Sequence, residues 1–378
     1  MSERMNSAPE TATRPVPQAR ELPPPFFIVG SGRTGSTLLR MMLAAHSRIA
    51  IPPETWFILP LVERFPLDRA LSPQELNQAI ELMTSHYRWS DLQMPAEELR
   101  RRSLELEQPR LADLIGVVYG VQLKGSGKVR WGDKTPPYIQ ILPKLAELFP
   151  GAKFIYLVRD GRDVAKSFQG LRMYGPWLHD NTVEWRDACY WERKWMTSGY
   201  AACILQVRYE DLVTDAEAGL RRICQFLGEE FEPRMLSWQQ EVARLVPARE
   251  LHVHQKLKRD SRREDIERWK TEMGARETFV AEAFMFGHLD RYGYERRFSS
   301  PAWIPVFWLT RLYCVLLWPS IPFRALRWLA RRMRQGPVSN DGGGRRITDV
   351  IRASKAKASE TVPRAVSWNP RSARGFFR

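Results

Sequence analysis

Phe26-Phe27-Ile28-Val29-Gly30-Ser31-Gly32-Arg33-Thr34-Gly35-Ser36-Thr37-Leu38-Leu39-Arg40 is the stretch from which the fold can be read. Phe26 to Val29 are consecutive apolar residues, the pattern of a buried strand. A glycine-rich loop, Gly30 to Thr37, follows, and Leu38 to His46 continue as an apolar-rich helix. Strand, glycine loop and helix together cradle phosphate: glycines admit backbone N–H groups close to an anion, and the helix N-terminus adds the positive end of its dipole. Ser36 and Thr37 supply hydroxyl donors. The loop nearly matches the GxxxxGK[ST] pattern of nucleotide triphosphatases, but Ser36 stands where the lysine would reach the β- and γ-phosphates. The basic residue is instead Arg33. This departure argues against an ordinary ATPase or GTPase and leaves room for another phosphate-bearing donor; a plain strand–turn–helix junction is the blander reading.

Strands alternate with helices further along the chain. Ile49 to Ile51 read as a short second strand, with Glu54 at its end, on the side where the loop opens. A solvated loop glutamate is the alternative. The region 71–122 is helical in pattern, with Ser72-Pro73-Gln74-Glu75 as a helix start and no evident chemistry. Arg130 to Pro137 read as a loop entering a helix from Tyr138 to Phe149, with Lys134 either facing the site or on the surface beside Asp133. Lys153 to Val158 form a clear buried strand, and Arg159-Asp160-Gly161-Arg162-Asp163 stand at its carboxyl end before a helix carrying Ser167. Arg159 is well placed for a second anion, unless the segment is a charged turn with internal Arg–Asp pairs. A tryptophan-rich helix spans Val183 to Tyr200 and reads as core. A strand, Ile204 to Arg208, leads through Tyr209 to a helix from Asp215 to Leu227. His252 to Lys270 is strongly basic and either closes over an anionic ligand or is a solvated loop; a last helix spans about Arg276 to Tyr292. The pattern implies an α/β, P-loop-like three-layer fold with a mainly parallel sheet flanked by helices.

Composition sets outer limits. A chain of 378 residues with 44% hydrophobic content builds one large domain with extensions, and a net charge of +15 suits anionic partners. No helix-turn-helix or zinc-finger spacing points to nucleic acid. Cys189, Cys203, Cys224 and Cys314 form no CxxC pair and read as reduced thiols, and no cleavable signal pattern opens the chain. The expected organisation is a disordered tail (1–22), a catalytic domain (23–298), a hydrophobic and basic membrane-associating segment (299–334) and a basic disordered tail (335–378). Within the third part, 303–323 is apolar apart from Arg311, and 324–334 is basic and aromatic, the composition of a helix lying in a membrane surface or packed on a partner.

Taken together, these segments resemble the sulfotransferases that use 3′-phosphoadenosine 5′-phosphosulfate, closest to the tyrosylprotein sulfotransferases and their bacterial relatives. The likeness runs from about Phe26 to Tyr294 and rests on Arg33 to Arg40, Ala45-His46-Ser47, Pro53-Glu54-Thr55, Lys134 within a K-x-P loop, Arg159 with Ser167 eight residues on, and Tyr209 in YEDLV. It implies that Arg33, Thr34, Gly35, Ser36 and Thr37 hold the 5′-phosphosulfate, that Arg159 and Ser167 grip the 3′-phosphate, and that Tyr209 completes the donor site. It also implies Glu54 as general base, with Lys134 and Arg33 stabilising the leaving oxygen and no metal required. His46 is the alternative base, with a packing role competing for it. Arg172 stands one position off the family pattern, and Lys256 and Lys258 match only loosely. Expected partners are a hydroxyl-bearing acceptor (lipid, glycan, small molecule or peptide) and, through 303–334, a membrane surface; no nucleic acid is expected, and a homodimer is the candidate assembly. The expected location is cytoplasmic, peripheral on the inner face of a membrane. Two other readings stand beside this one: a nucleotide-dependent kinase with an atypical phosphate loop, and a non-catalytic nucleotide-binding membrane adaptor.

Overall fold

Phe27 and Val29 of the first strand face one side of a sheet and Phe26 and Ile28 the other, and this alternation divides the core in two. The computed structural model describes residues 22–171, 178–239, 263–285 and 287–298. Within them, β1 (Phe26–Gly30), β2 (Ile49–Ala50), β3 (Arg130–Lys134), β4 (Lys153–Val158) and β5 (Ile204–Arg208) form one all-parallel sheet in the order β2-β3-β1-β4-β5. The helices that follow or connect them are α1 (Ser36–Ala44), α2 (Ile58–Arg64), α3 (Pro73–Thr84), α4 (Ala96–Leu104), α5 (Leu111–Ser126), α6 (Leu142–Leu148), α7 (Gly161–Leu171), α8 (Leu178–Met196), α9 (Tyr209–Thr214) and α10 (Ala216–Leu227).

On one face, Leu39 and Met41 of α1 and Leu220 and Ile223 of α10 cover Phe26, Ile28, Ile155 and Leu157. On the other, Leu114 and Val118 of α5 and Trp185 of α8 join Phe27, Phe154 and Tyr156. Aromatic rings carry much of this second layer: Phe27 stacks on Phe154 with centroids 5.5 Å apart, and Trp131 on Tyr119 at 3.9 Å. The result is the three-layer α/β fold expected from the sequence, with helices on both faces of a buried parallel sheet.

Most expected elements are present, with shifted ends. The start at Ser72 is a full capping box: its hydroxyl accepts from the Glu75 amide at 3.2 Å, and the Glu75 carboxylate accepts from the Ser72 amide at 2.8 Å. One reading is corrected. Arg130 to Lys134 are not a loop but strand β3, paired with β1 at Phe26↔Gly132 and with β2 at Ile49↔Arg130. The last helix is also broken, into Ala275–Phe284 and His288–Arg291, with Gly287 in a left-handed conformation between them. Cys189, Cys203 and Cys224 are free thiols. Cys314, Arg172, Lys256, Lys258, the 299–334 segment and the expected tails apart from Leu22 lie outside the described residues. Among those described, no helix is long and apolar enough to cross a membrane.

Two stability tests follow from this packing. A Cβ at position 132 would lie 2.4 Å from Cζ of Phe26, whose ring covers this glycine. Gly132→Ala is therefore expected to cost about 1–3 kcal/mol through overpacking, read as a lower urea midpoint. Burial, and then the charges of Arg186, Arg193 and Arg291, push the His288 imidazole down from 6.5 to about 4. As pH falls the unfolded chain takes up this proton first, so the stability linked to His288 is lost between about 6.5 and 4. Urea midpoints of the wild type are expected to fall relative to those of His288→Gln across that window.

Candidate active site

Because β1 lies between β3 and β4, the chain leaving β1 enters the crevice where connections diverge to the two sides of the sheet. Each of these three strands delivers a cation there: Arg33 in the loop after β1, Lys134 at the end of β3 and Arg159 after β4. The loop is shaped for close approach. Gly35 has φ of 93°, and a Cβ there would sit 2.4 Å from Cδ2 of Tyr209. Arg33, although not glycine, is also left-handed, at φ of 65°. The Thr34 hydroxyl donates within the loop to the Ser31 carbonyl at 2.9 Å, and the Gly32 amide donates to Glu184 of α8 at 2.8 Å.

Arg33, Ser167, Arg159 and Tyr209 come together. Arg33 Nε donates to Ser167 Oγ at 3.0 Å. Arg159 reaches the Arg33 carbonyl at 3.5 Å and the Asp265 carbonyl at 2.6 Å, and its guanidinium lies 4.7 Å from the centroid of the Tyr209 ring. Asp265 belongs to the end of the basic region noted in the sequence, so that region's described part packs onto this site. Burial, and then the neighbouring charge of Arg159, lower the Arg33 pKa, with Asp265 and Glu54 offsetting part of the effect. The buried Nε of Arg159 has no hydrogen-bond partner among the described residues. Two guanidinium groups held close in a buried place, with an N–H left over, fit a multiply charged anion.

The neighbouring Arg162 does something else. It makes two hydrogen bonds to the Asp160 carboxylate, at 2.9 and 2.7 Å, and one to Glu282 at 2.6 Å, and lies 3.6 Å from a Trp269 ring centroid. The charged-turn reading of this segment thus describes Arg162 fully and Arg159 in part, since Arg159 faces the Asp163 carboxylate at 3.7 Å as well as the loop. Beyond Asp160, a cleft of about 640 Å³ opens between Arg208, Glu210, Trp269 and Tyr294; none of Arg33, Glu54, Lys134 or Arg159 lines it.

Lys134 and Glu54 form the second half of the site. The Lys134 ammonium donates to Glu54 Oε1 and to Thr37 Oγ1, the latter at 3.3 Å, and the residue is only 2% exposed. Glu54 Oε2 accepts from the indole N–H of Trp56 at 2.7 Å and faces Arg88 at 3.3 Å. Burial opposes ionisation of Glu54. The charges of Lys134 and Arg88, with hydrogen bonds from Lys134 and Trp56, outweigh it and hold the carboxyl well below the usual range.

The turn bearing Glu54 is pinned from beneath. Asp133 Oδ2 accepts from Tyr119 at 2.7 Å and from Thr55 Oγ1 at 2.9 Å. The Tyr138 hydroxyl accepts from the Ile58 amide at 3.1 Å and contacts Thr55 Oγ1 at 2.8 Å. One proton order satisfies all of these, Tyr138 to Thr55 to Asp133. Burial raises the Asp133 pKa, and the hydroxyl donors restrain the rise. Above this network Trp56 adopts a left-handed φ of 56°. His46 is buried and packed: its Nδ1 accepts from the Arg48 amide at 3.0 Å, which leaves Nε2 to donate to the Glu230 carbonyl at 2.8 Å. Sequence reasoning did not find Arg88, Trp56, Asp133 or Glu184. Trp56 and Asp133 adjoin named residues and were within reach; nothing in the pattern around Arg88 or Glu184 marks them.

A sequence model of the Sulfotransferase family matches residues 24–233, more than half of the chain, and the chain belongs to that family. Among curated relatives, protein-tyrosine sulfotransferase A of Caenorhabditis elegans is 28% identical over 222 residues, 57% of this chain and 53% of the relative. The omega-hydroxy-beta-dihydromenaquinone-9 sulfotransferase Stf3 of Mycobacterium bovis is 26% identical over 329 residues, 74% of this chain and 77% of the relative. The chain thus spans about half the length of the nematode protein. Among solved structures, the sulfotransferase domain from the curacin biosynthetic pathway is similar, with a TM-score of 0.51 and 26% identity, over 73% of this chain and 99% of that domain.

Gly35 and Gly127 provide a matched pair for testing the loop. Both are left-handed, but a Cβ at Gly127 would meet nothing within 4 Å. Each alanine substitution carries a backbone penalty of about 1–2 kcal/mol. Gly35→Ala is expected to lower the urea midpoint further than Gly127→Ala, because it must also displace Tyr209.

Proposed function

We propose that this chain transfers a sulfuryl group from 3′-phosphoadenosine 5′-phosphosulfate to an acceptor hydroxyl, by in-line displacement. The observation that carries this reading is the separation of the site into two charged halves. Arg33, Arg159 and Ser167 form a receptor for a multiply charged anion, and Lys134 beside Glu54 places an acid and a base next to the phosphate-type loop. Family membership supports the donor class. Arg159 and Ser167 would hold the 3′-phosphate, with Tyr209 beside them. Arg33 and the loop from Thr34 to Thr37 would hold the 5′ end.

In the reaction, Glu54 accepts the proton of the acceptor hydroxyl as its oxygen bonds to sulfur. The sulfur–oxygen bond to the 5′-phosphate breaks, and adenosine 3′,5′-bisphosphate leaves. Lys134 and Arg33 stabilise the charge gathering on the departing oxygen, a role worth about 3–4 kcal/mol per group in comparable sites. The acceptor is a hydroxyl compound; the names of the relatives include protein tyrosine and a hydroxylated menaquinone. The apolar sequence of 303–323 favours a lipid-like or membrane-borne acceptor for this chain.

Calorimetry without metal tests the donor. Adenosine 3′,5′-bisphosphate is expected to bind the wild type, and Arg159→Ala to lose that binding. Binding of ATP with magnesium in its place would replace this reading with a kinase. With labelled donor and membrane extracts as acceptor source, Glu54→Gln is expected to lower transfer at least about a hundredfold; full transfer by that variant would remove Glu54 as the base.

A further inference from the structure

Lys134 is held between two partners, and only one of them belongs to the donor loop. Its ammonium reaches Thr37 Oγ1, in the first turn of α1, at 3.3 Å, and hydrogen-bonds to Glu54 Oε1. An anion seated on the loop draws on the same ammonium group whose N–H donors serve Glu54 and Thr37. We propose that Glu54 competes with the donor for Lys134, and that Arg88 is the positioning residue that sets how strongly it competes. The inference rests on the donor reading above and deepens it.

The geometry allows the exchange to run through the lysine side chain alone. Glu54 does not follow Lys134, because its turn is fixed by Thr55, which is bonded to Asp133 and Tyr138, and by the Thr55 amide donating to Thr135 Oγ1 at 3.2 Å. Nor does the departure of Lys134 strand a buried carboxylate. Trp56 at 2.7 Å and Arg88 at 3.3 Å remain on Oε2, the oxygen that Lys134 does not touch. Arg88 is itself held in place, being 13% exposed and paired with Asp91 at 3.7 Å. It comes from the helical region between β2 and β3, just before the turn Trp89–Leu92. In the free protein three donors crowd the Glu54 carboxylate and leave it a weak base. Loading the donor removes the strongest of them from Oε1, freeing that oxygen for the acceptor proton. Base strength is thereby tied to occupancy of the loop. Without Arg88, Lys134 is the one cation left on Glu54 among the described residues, beside the Trp56 indole, and is held more tightly.

Binding of adenosine 3′,5′-bisphosphate to the full chain, measured by calorimetry with folding checked by thermal melting, tests this without an acceptor. Glu54→Gln is expected to bind about tenfold more tightly, the scale of a hydrogen bond to a charged group. That gain is expected to vanish in a Lys134→Met background. Arg88→Gln is expected to bind several-fold more weakly, Arg88→Lys to recover, and the Arg88→Gln effect to disappear in a Glu54→Gln background. Unchanged or weaker binding by Glu54→Gln overturns the competition. A gain that persists without Lys134 also overturns it, in favour of plain charge repulsion. An Arg88→Gln loss that persists with Glu54→Gln overturns the role of Arg88. Failure of the wild type to bind at all overturns the donor reading, and the competition falls with it.

Discussion

The ammonium of a lysine residue that is 2% exposed cannot remain there without an anion, and in this protein the anion supplied by the chain is Glu54. The rest of the site follows from that pairing. Glu54 must be presented at a fixed height above the sheet, so Thr55 is tied into hydroxyl groups from α5 and from the turn after β3. Lys134 must emerge at the tip of a strand beside β1, so that one side chain reaches both the loop and the carboxylate. The order of the sheet meets both needs, since β3, β1 and β4 end side by side.

Both sides of this crevice set cations against carboxylates. On the Arg159 side, two guanidinium groups are close together, and the Asp163 carboxylate 3.7 Å from Arg159, with the carbonyl oxygens of Arg33 and Asp265, supplies compensation. On the Lys134 side, Lys134 and Arg88 share the Glu54 carboxylate, and Arg88 also faces Asp91 at 3.7 Å.

Strands β1 and β4 were legible in the sequence because unbroken apolar runs followed by glycine or charge mark buried parallel strands. Strand β3 was not legible, and its composition explains why. Arg130, Asp133 and Lys134 are charged residues inside a sheet, and each is compensated by groups remote in sequence. Arg130 donates to the Leu227 carbonyl at 2.7 Å, Asp133 accepts from Tyr119 and Thr55, and Lys134 binds Glu54. No local pattern carries that information. The same limit hid Arg88, whose partner Glu54 lies in another segment, and it left open whether Arg159 meets an anion or pairs within its own turn. The motif resemblance supplied residues that periodicity alone could not.

Arg33 and Trp56 both have left-handed backbones, conformations that cost side-chain-bearing residues of order 1–3 kcal/mol. Elsewhere in a protein, glycine at such a position is a routine way to gain stability. Here it would remove the guanidinium at one site and the indole that orients Glu54 at the other. The Arg33 loop and the turn bearing Glu54 therefore cannot be made more heat-resistant by relaxing their own backbone without losing these contacts. A more durable variant of this protein must draw its gains from the sheet and its covering helices, leaving these two positions locally unfavourable.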